Sequence, residues 1–287
     1  MQSYWIHDND VYRFDDTYTG PIDLPEGVTS CSRMFKGCNI REGCYLRNFD
    51  TTRVTSMTSM FEGATLPEGF TLGPVFNTRN VISMRGMFSG CRMPHDFTLG
   101  DKFITDSVET MAFMFCQATL PENFSLGEHF NTHNVESMVY MFASAIQGQQ
   151  VDLGEHFDTS NVTDMSSMFM CCSLPQGFTL GRKFDTSKVE SMSDMFANAV
   201  LEDDFTLGEH FDTSKVNYLN GMFCSATIKG NFSLGEQFYL KRNPITQCMF
   251  AGVNCDPGFK VLRYTEVNKL VSGVNVDTSK HIFEEVV

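Results

Sequence analysis

Basic residues are scarce in this sequence. It has 21 lysines and arginines against 35 aspartates and glutamates in 287 residues, so its formal net charge is −14. Nucleic-acid binding needs clustered Lys and Arg to neutralise phosphates, and attachment to an anionic membrane needs a basic patch, so the composition argues against both. The sequence also lacks a run of about 18 apolar residues, so we predict no membrane span.

Recognisable catalytic motifs are missing as well. The sequence contains no evident nucleophile triad, phosphate-binding loop or pair of catalytic carboxylates. Its polar residues recur at a fixed period, which indicates architecture, whereas catalytic residues would be singular. We therefore predict a protein that is not an enzyme and uses no cofactor.

Cysteine and histidine do not occur at metal-site spacing. The ten cysteines include no CxxC pair that has a second such pair or histidine partners at zinc spacing. Cys91 and Cys172 occupy a repeat position that otherwise holds alanine, which favours free thiols packed as small core residues. His129 and His156 share their position with Lys102, which favours a solvated turn. We predict no metal site, and a disulfide or metal site is the less favoured alternative.

The sequence is instead rich in phenylalanine and methionine, with 27 and 18 residues, and an internal repeat explains both. After a first step of 26 residues, the dipeptide Met-Phe recurs every 27. Its methionines are Met34, Met60, Met87, Met114, Met141, Met168, Met195, Met222 and Met249. Such a period indicates units that bury their apolar faces only by stacking on their neighbours.

The pattern within one unit predicts a short helix and a shorter strand. The apolar residues of one unit fall at helical spacing, and they are Val162, Met165, Met168, Phe169 and Cys172. The sequence FTLG at 178–181 alternates apolar and polar residues, as a half-buried strand does. We therefore expect the α/β class, with a single right-handed solenoid of about nine 27-residue strand–turn–short-helix repeats, like a leucine-rich repeat.

The ends of the chain depart from the period, and terminal units of a solenoid need caps. We predict an N-terminal cap over residues 1–30 that contains a hairpin, the repeat solenoid over 31–259, and a C-terminal cap over 260–287. Within the last segment we expect a strand near 260–264 and a short helix over 279–287.

Three segments of the repeat resemble a known bacterial repeat. They read FDTTRVTSMTSMF at 49–61, FDTSNVTDMSSMF at 157–169 and FDTSKVESMSDMF at 184–196. They are similar to the BspA-like surface-protein repeat, also found in mycoplasma proteins as the family of unknown function 285, and the likeness covers about residues 31–259. The resemblance implies a leucine-rich-repeat-like solenoid, surface display, and binding to host proteins or other cells.

Function and location are predicted from this resemblance. We predict a non-enzymatic binding scaffold for adhesion or protein–protein interaction, whose partner is a protein or a glycan-bearing surface, including that of a host. The alternative is a bacterial effector or toxin-associated protein that acts on host proteins. The resemblance implies a cell-surface or secreted location, but the first ten residues show no secretory signal, so a cytoplasmic location or export by a non-Sec route stays open.

Two consecutive outward positions of the repeat have unusual residues in two adjacent units. Most units have small or polar residues there, whereas two have Ala112-Phe113 and Val139-Tyr140. Because the two pairs are one period apart, we expect Phe113 and Tyr140 to lie side by side on the outer surface. Exposed apolar side chains on neighbouring units are typical of partner-binding patches, so we predict such a patch here. The alternative is that these side chains fold onto the adjacent predicted helices or onto a terminus of the chain.

Overall fold

In the computed structural model, the described residues are 5–8, 11–230, 232, 234, 237–238, 242, 244–255, 260–262 and 282–284. Their strands have two to four residues and pair in four two-stranded sheets and one three-stranded sheet. The strands are β1 (Trp5–Asp8), β2 (Val11–Phe14), β3 (Pro21–Ile22), β4 (Tyr45–Leu46), β5 (Phe124–Ser125), β6 (Val151–Asp152), β7 (Val200–Leu201), β8 (Thr227–Ile228), β9 (Asn254–Cys255), β10 (Lys260–Leu262) and β11 (Ile282–Glu284).

The predicted α/β class is wrong. The described part of the chain contains no helix, and the segment predicted as helical between Val162 and Cys172 forms turns. The chain therefore does not form the predicted α/β solenoid of leucine-rich-repeat type, with a helix in every repeat. A helix long and apolar enough to span a membrane is likewise not found in the described residues.

Left-handed backbone positions explain why turns replace the predicted helix. Ser167 and Cys171 have φ angles of 57° and 58°, whereas an α-helix needs a negative φ at every residue. Around them the chain makes β-turns closed by hydrogen bonds between residues three apart, as where the N–H of Cys172 donates to the carbonyl of Phe169 at 3.2 Å. Successive turns of this kind bring every third side chain to the same side, so they produce the apolar spacing that we interpreted as helical.

The other N–H groups of each turn segment bind the next unit. The N–H groups of Ser59 and Phe61 donate to the carbonyls of Arg85 and Met87, both at 2.8 Å. Parallel bridges join the same units, for example Ser56 with Ser83. The units therefore lie side by side in parallel register, and we call this arrangement the repeat stack. Its units begin at residues 29, 55, 82, 109, 136, 163, 190, 217 and 244.

A continuous ladder of phenylalanines fills the core of the repeat stack. Neighbouring rings lie 5.0–5.8 Å apart between centroids and are parallel to within 9°. The ladder consists of Phe35, Phe61, Phe88, Phe115, Phe142, Phe169, Phe196, Phe223 and Phe250. A second column meets it edge-on, as where the planes of Phe61 and Phe70 are inclined at 77°. Both geometries are favourable for aromatic rings, so the ladder stabilises the 27-residue register.

A hairpin covers the first unit of the repeat stack. Strands β1 and β2 pair antiparallel, with Trp5 opposite Phe14. Trp5 is 5% exposed, and its ring centroid lies 5.7 Å from that of Phe35. Its indole N–H donates to the carbonyl of Asp23 at 3.0 Å. The hairpin therefore closes the end of the phenylalanine ladder.

The C-terminal segment is described only in part. Strand β10 pairs with β11 in parallel, so residues Ile282–Glu284 form a strand within the short helix that we predicted over 279–287. Most of the predicted C-terminal cap at 260–287 lies outside the described residues.

Buried threonines join neighbouring units. The hydroxyl of Thr132 donates to the carbonyl of Asp158 at 2.8 Å and accepts a hydrogen bond from the N–H of Asp158 at 2.7 Å. The threonines at this position are at most 1% exposed, and they are Thr51, Thr78, Thr105, Thr132, Thr159, Thr186 and Thr213. Each hydroxyl is therefore placed to satisfy backbone groups that the short strands leave unpaired.

We expect Thr132→Val to lower the free energy of unfolding by about 1–2 kcal/mol, because the backbone groups of Asp158 lose their partner. Thr163→Val is a matched control, since Thr163 is exposed and its 3.2 Å hydrogen bond to the carbonyl of Glu136 lies at the surface. We expect it to change the free energy by about 0.5 kcal/mol or less. Urea unfolding followed by circular dichroism measures both, and equal losses would contradict the structural role of Thr132.

Candidate functional site

Phe113 and Tyr140 lie side by side on adjacent units, outside the phenylalanine ladder. Their ring centroids are 4.9 Å apart, and their planes are inclined by only 7°. Both side chains are partly exposed. The guanidinium carbon of Arg85 lies 4.8 Å from the centroid of the Phe113 ring, which is cation–π distance. The three side chains therefore form one stack over three units, with a cation at one end.

The other two predicted patch residues differ in accessibility. Ala112 is 2% exposed, so its side chain is buried, whereas Val139 is partly exposed like the two rings. The predicted patch therefore offers Val139 and the two rings of Phe113 and Tyr140, and we call these rings the aromatic pair. Its role in partner binding remains a prediction.

Both residues of the aromatic pair have a left-handed backbone. Their φ angles are 63° and 56°, a region that costs a bulky residue about 1–2 kcal/mol. Hydrogen bonds hold Phe113 there, since its N–H donates to the carbonyl of Val139 at 2.8 Å and its carbonyl accepts from Cys116 at 3.1 Å. Other units have mainly small or polar residues at this position: Arg33, Ser59, Gly86, Ser167, Asp194, Gly221 and Cys248. The left-handed position recurs in all these units and belongs to the architecture, so the feature that sets the two units apart is the large aromatic side chain.

A groove opens between the same two units. It has a volume of about 500 Å³ and is lined by residues between 117 and 122 in one unit and between 144 and 149 in the next. Elsewhere this edge is bridged, as between Arg92 and Thr119 and between Gln147 and Ser173. Across residues 117–122 and 144–149, all of which are described, no such bridge forms. The two units that carry the aromatic pair are therefore also separated at this edge.

A one-residue slip explains the groove. The second unit has Ile146 and Gln147 where its neighbour has Thr119 and Leu120. Ile146 is fully buried, and the bridge to Ser173 starts from Gln147, one residue later than the 27-residue period would place it. A slip of one residue in an extended segment turns its side chains to the opposite face. The slipped segment bridges to the following unit through Gln147 and Ser173, but it is out of register with Thr119 in the preceding unit and forms no bridge to it.

Two glutamates lie four residues before the aromatic pair. Glu109 and Glu136 are exposed, and the N–H of Glu136 donates to the carbonyl of Glu109 at 2.9 Å. Neighbouring strands are about 4.8 Å apart, so two like charges lie side by side. Neither carboxylate belongs to an ion pair within the described residues. Adjacent like charges are unfavourable, so this edge would be stabilised by an external cation.

Glu68, His95 and Asp96 form the one cluster in the described residues whose ligand atoms could reach a common metal ion. These atoms lie within 4.8 Å of one another, and all three side chains are exposed. Internal contacts already account for the grouping, because His95 Nδ1 lies 2.6 Å from Glu68 Oε2 and Asp96 accepts a hydrogen bond from Gly69 at 3.3 Å. We therefore assign no metal site to it.

The cysteines are free thiols among the described residues, and several lie in the core. Cys31, Cys91 and Cys172 are at most 1% exposed, and burial raises the pKa of each thiol to about 12. Cys172 also donates a hydrogen bond to the carbonyl of Phe142 at 3.0 Å. These thiols therefore pack as small core residues, as the repeat positions predicted.

We expect iodoacetamide to modify exposed Cys248 quickly in the native protein and Cys31, Cys91 and Cys172 only after unfolding in urea. The thiolate is the reactive form, and burial both raises the pKa of these thiols and blocks access. Peptide mapping by mass spectrometry measures the rates. Rapid native modification of Cys172 would contradict its place in the core.

Replacing Phe113 should separate a structural role from a surface role. In Phe113→Gly, relief of the left-handed strain offsets the lost ring stacking, so we expect the free energy of unfolding to change by about 1 kcal/mol or less. Phe115→Ala, in the buried ladder, should cost about 3–5 kcal/mol. Chemical denaturation of both variants checks the difference, and a comparable loss in Phe113→Gly would mean that its ring is a core element.

Sequence reasoning predicted the aromatic pair but missed its surroundings. Arg85 occupies a position where other units have Thr58 or Ser166. This change in size and charge next to the aromatic pair could have indicated the cation–π contact. The replacement of Leu-Pro by Gln-Gly at 147–148 signalled the groove in the same way. The repeat of Glu109 at Glu136 was also visible in the sequence, but its importance depends on the absence of an ion-pair partner for either carboxylate among the described residues.

The parallel, in-register units define a repeat protein. The family model described as Mycoplasma protein of unknown function, DUF285, matches residues 29–151, 95–200 and 149–252. These overlapping segments together span 29–252, and the chain therefore belongs to this family. Searches of curated proteins and of solved structures found no match.

Proposed function

We propose that this protein is a non-enzymatic binding scaffold that contacts a protein or a glycan-bearing surface through Phe113 and Tyr140. One observation carries the proposal: two large aromatic side chains stack outside the core, at strained backbone positions where most units have small or polar residues. Aromatic residues are enriched at interfaces because they bury a large area with little loss of conformational entropy.

The arrangement of the units supports the same function. Repeat proteins present extended surfaces on which a few altered side chains create a binding site, while the remaining units maintain the scaffold. Here the aromatic pair, the groove and the paired glutamates all occur on the units that begin at 109 and 136. Three departures from the repeat at one place favour a localised site.

The resemblance to BspA-like surface repeats favours adhesion as the biological use of this binding. The matched family has no stated function, so adhesion and a surface location are part of the proposal. The alternative, an effector that acts on host proteins, stays a prediction without an observation of its own.

Phe113→Ser combined with Tyr140→Ser tests the proposed function. Serine occupies this position at Ser59 and Ser167 with φ angles of 56° and 57°, so the variant should fold. We expect capture of partners from host and bacterial lysates, measured by quantitative mass spectrometry, to fall at least about tenfold, because central aromatic residues dominate binding energy at interfaces.

Tyr218→Ser is the matched control, since it removes a tyrosine that is 47% exposed on a different unit. Capture by this variant should equal that of the unaltered protein. If the folded double variant retains full capture of the same partners, the aromatic pair is not the binding surface.

A further inference from the structure

The chain itself shows how a cation binds the aromatic pair. The unit before Phe113 has Gly86 at the equivalent position, which leaves space beside the ring. Arg85 fills that space, with its guanidinium carbon 4.8 Å from the ring centroid. A planar guanidinium stacks on an aromatic face, whereas an ammonium group does so less well. One end of the aromatic stack is therefore closed by an arginine of the same chain.

The opposite end of the stack lacks such a cover. The unit after Tyr140 has Ser166 and Ser167 at the positions of Arg85 and Gly86. Ser167 is 3% exposed, which fits a tyrosine ring lying over it. A serine side chain ends at its γ atom, so neither serine can cover the outer part of the ring. We call the outer part of this ring face, beyond the two serines, the free face of Tyr140, and it is suited to a planar group from outside the chain.

The acidic residues near the aromatic pair favour a positively charged group on the ring of Tyr140. Glu109 and Glu136 are exposed, adjacent and without an ion-pair partner among the described residues. The whole chain carries a formal net charge of −14. Complementary charge speeds association and excludes partners of the same sign. A basic partner fits this edge, whereas acidic glycans would be repelled.

Equivalent positions of the two units define two parallel rows of residues. Along each unit the glutamate, the aromatic residue and the edge of the groove follow one another at four-residue intervals. The rows are Glu109, Phe113 and Gln117, and Glu136, Tyr140 and Ser144. These rows continue into the groove of about 500 Å³, so one extended segment can lie along both units.

We propose that these two rows form a docking surface for an arginine-bearing extended segment of a partner protein. The guanidinium group of the segment stacks on the free face of Tyr140, and its positive charge faces Glu109 and Glu136. The remainder of the segment lies in the groove. This inference rests on the proposed function, because it assigns a partner chemistry to the same aromatic pair.

Two fluorescein-labelled probe peptides, (Gly-Arg)4 and (Gly-Lys)4, test the inference with the whole 287-residue chain. They carry equal charge, so a difference in affinity by fluorescence anisotropy reports the stacking of the guanidinium group. We expect the arginine peptide to bind about threefold to fivefold more tightly. Tyr140→Ser should abolish that preference, and Phe113→Ser alone tests whether the second ring is needed to hold Tyr140 in place.

Glutamate variants test the electrostatic part. Glu136→Gln should weaken the binding of both peptides, whereas Glu190→Gln should leave it unchanged. Glu190 is the matched control because it is exposed at the same repeat position two units away, where the unit has Asp194 in place of an aromatic residue. Equal losses in the two variants would show unspecific attraction to an acidic surface and overturn the inference.

The outcomes separate this inference from the proposed function. Equal affinity for the two peptides, or an arginine preference that survives Tyr140→Ser, overturns the inference alone. Binding of a neutral oligosaccharide such as chitotetraose that requires Tyr140 also overturns it, while it supports the binding scaffold. Unchanged lysate capture by the folded Phe113→Ser, Tyr140→Ser variant overturns the proposed function, whatever the peptides do.

Discussion

The hydrogen bonds between successive units are the interaction on which the rest of this structure depends. Alternate N–H groups of each turn segment donate to carbonyls of the following unit, as from Phe61 to Met87. Because these bonds repeat in parallel register, equivalent residues of all units fall into the same layer. The phenylalanine ladder and the buried threonines follow from that register, and each strengthens it. The left-handed residues are a consequence too, since they turn the N–H groups toward the neighbouring unit.

Residue spacing alone predicted which side chains meet, but not the backbone between them. The period places Phe61 beside Phe88 and Phe113 beside Tyr140 in any stacked arrangement, and both pairs are in contact. The helix prediction was wrong because successive β-turns and helices both place apolar residues three or four positions apart. Glycine marks the left-handed position at Gly86 and Gly221, but most units have other residues there, such as Ser167, so the signal was incomplete.

The surroundings of the aromatic pair depend on local departures from the repeat, and the 27-residue period alone does not predict what those departures do. The groove coincides with a one-residue shift of the bridge at buried Ile146, and the three-dimensional register shows that shift, whereas the sequence shows only the change at 147–148. The contact of Arg85 with Phe113 depends on the space left by Gly86 in the same unit. Such local substitutions specialise two units, while the remaining units keep the register that holds them in position.

The hairpin over the first unit also governs how copies of this chain can assemble. An end unit with unpaired backbone groups is a template onto which another copy could add, and head-to-tail addition of that kind grows into fibres. Phe14 donates its N–H to the carbonyl of Met34 at 2.8 Å, so the hairpin takes the place that a preceding unit would occupy. Trp5 covers the adjacent ring of Phe35. The backbone and the aromatic face of this end unit are therefore paired within the chain, which disfavours the addition of another copy there.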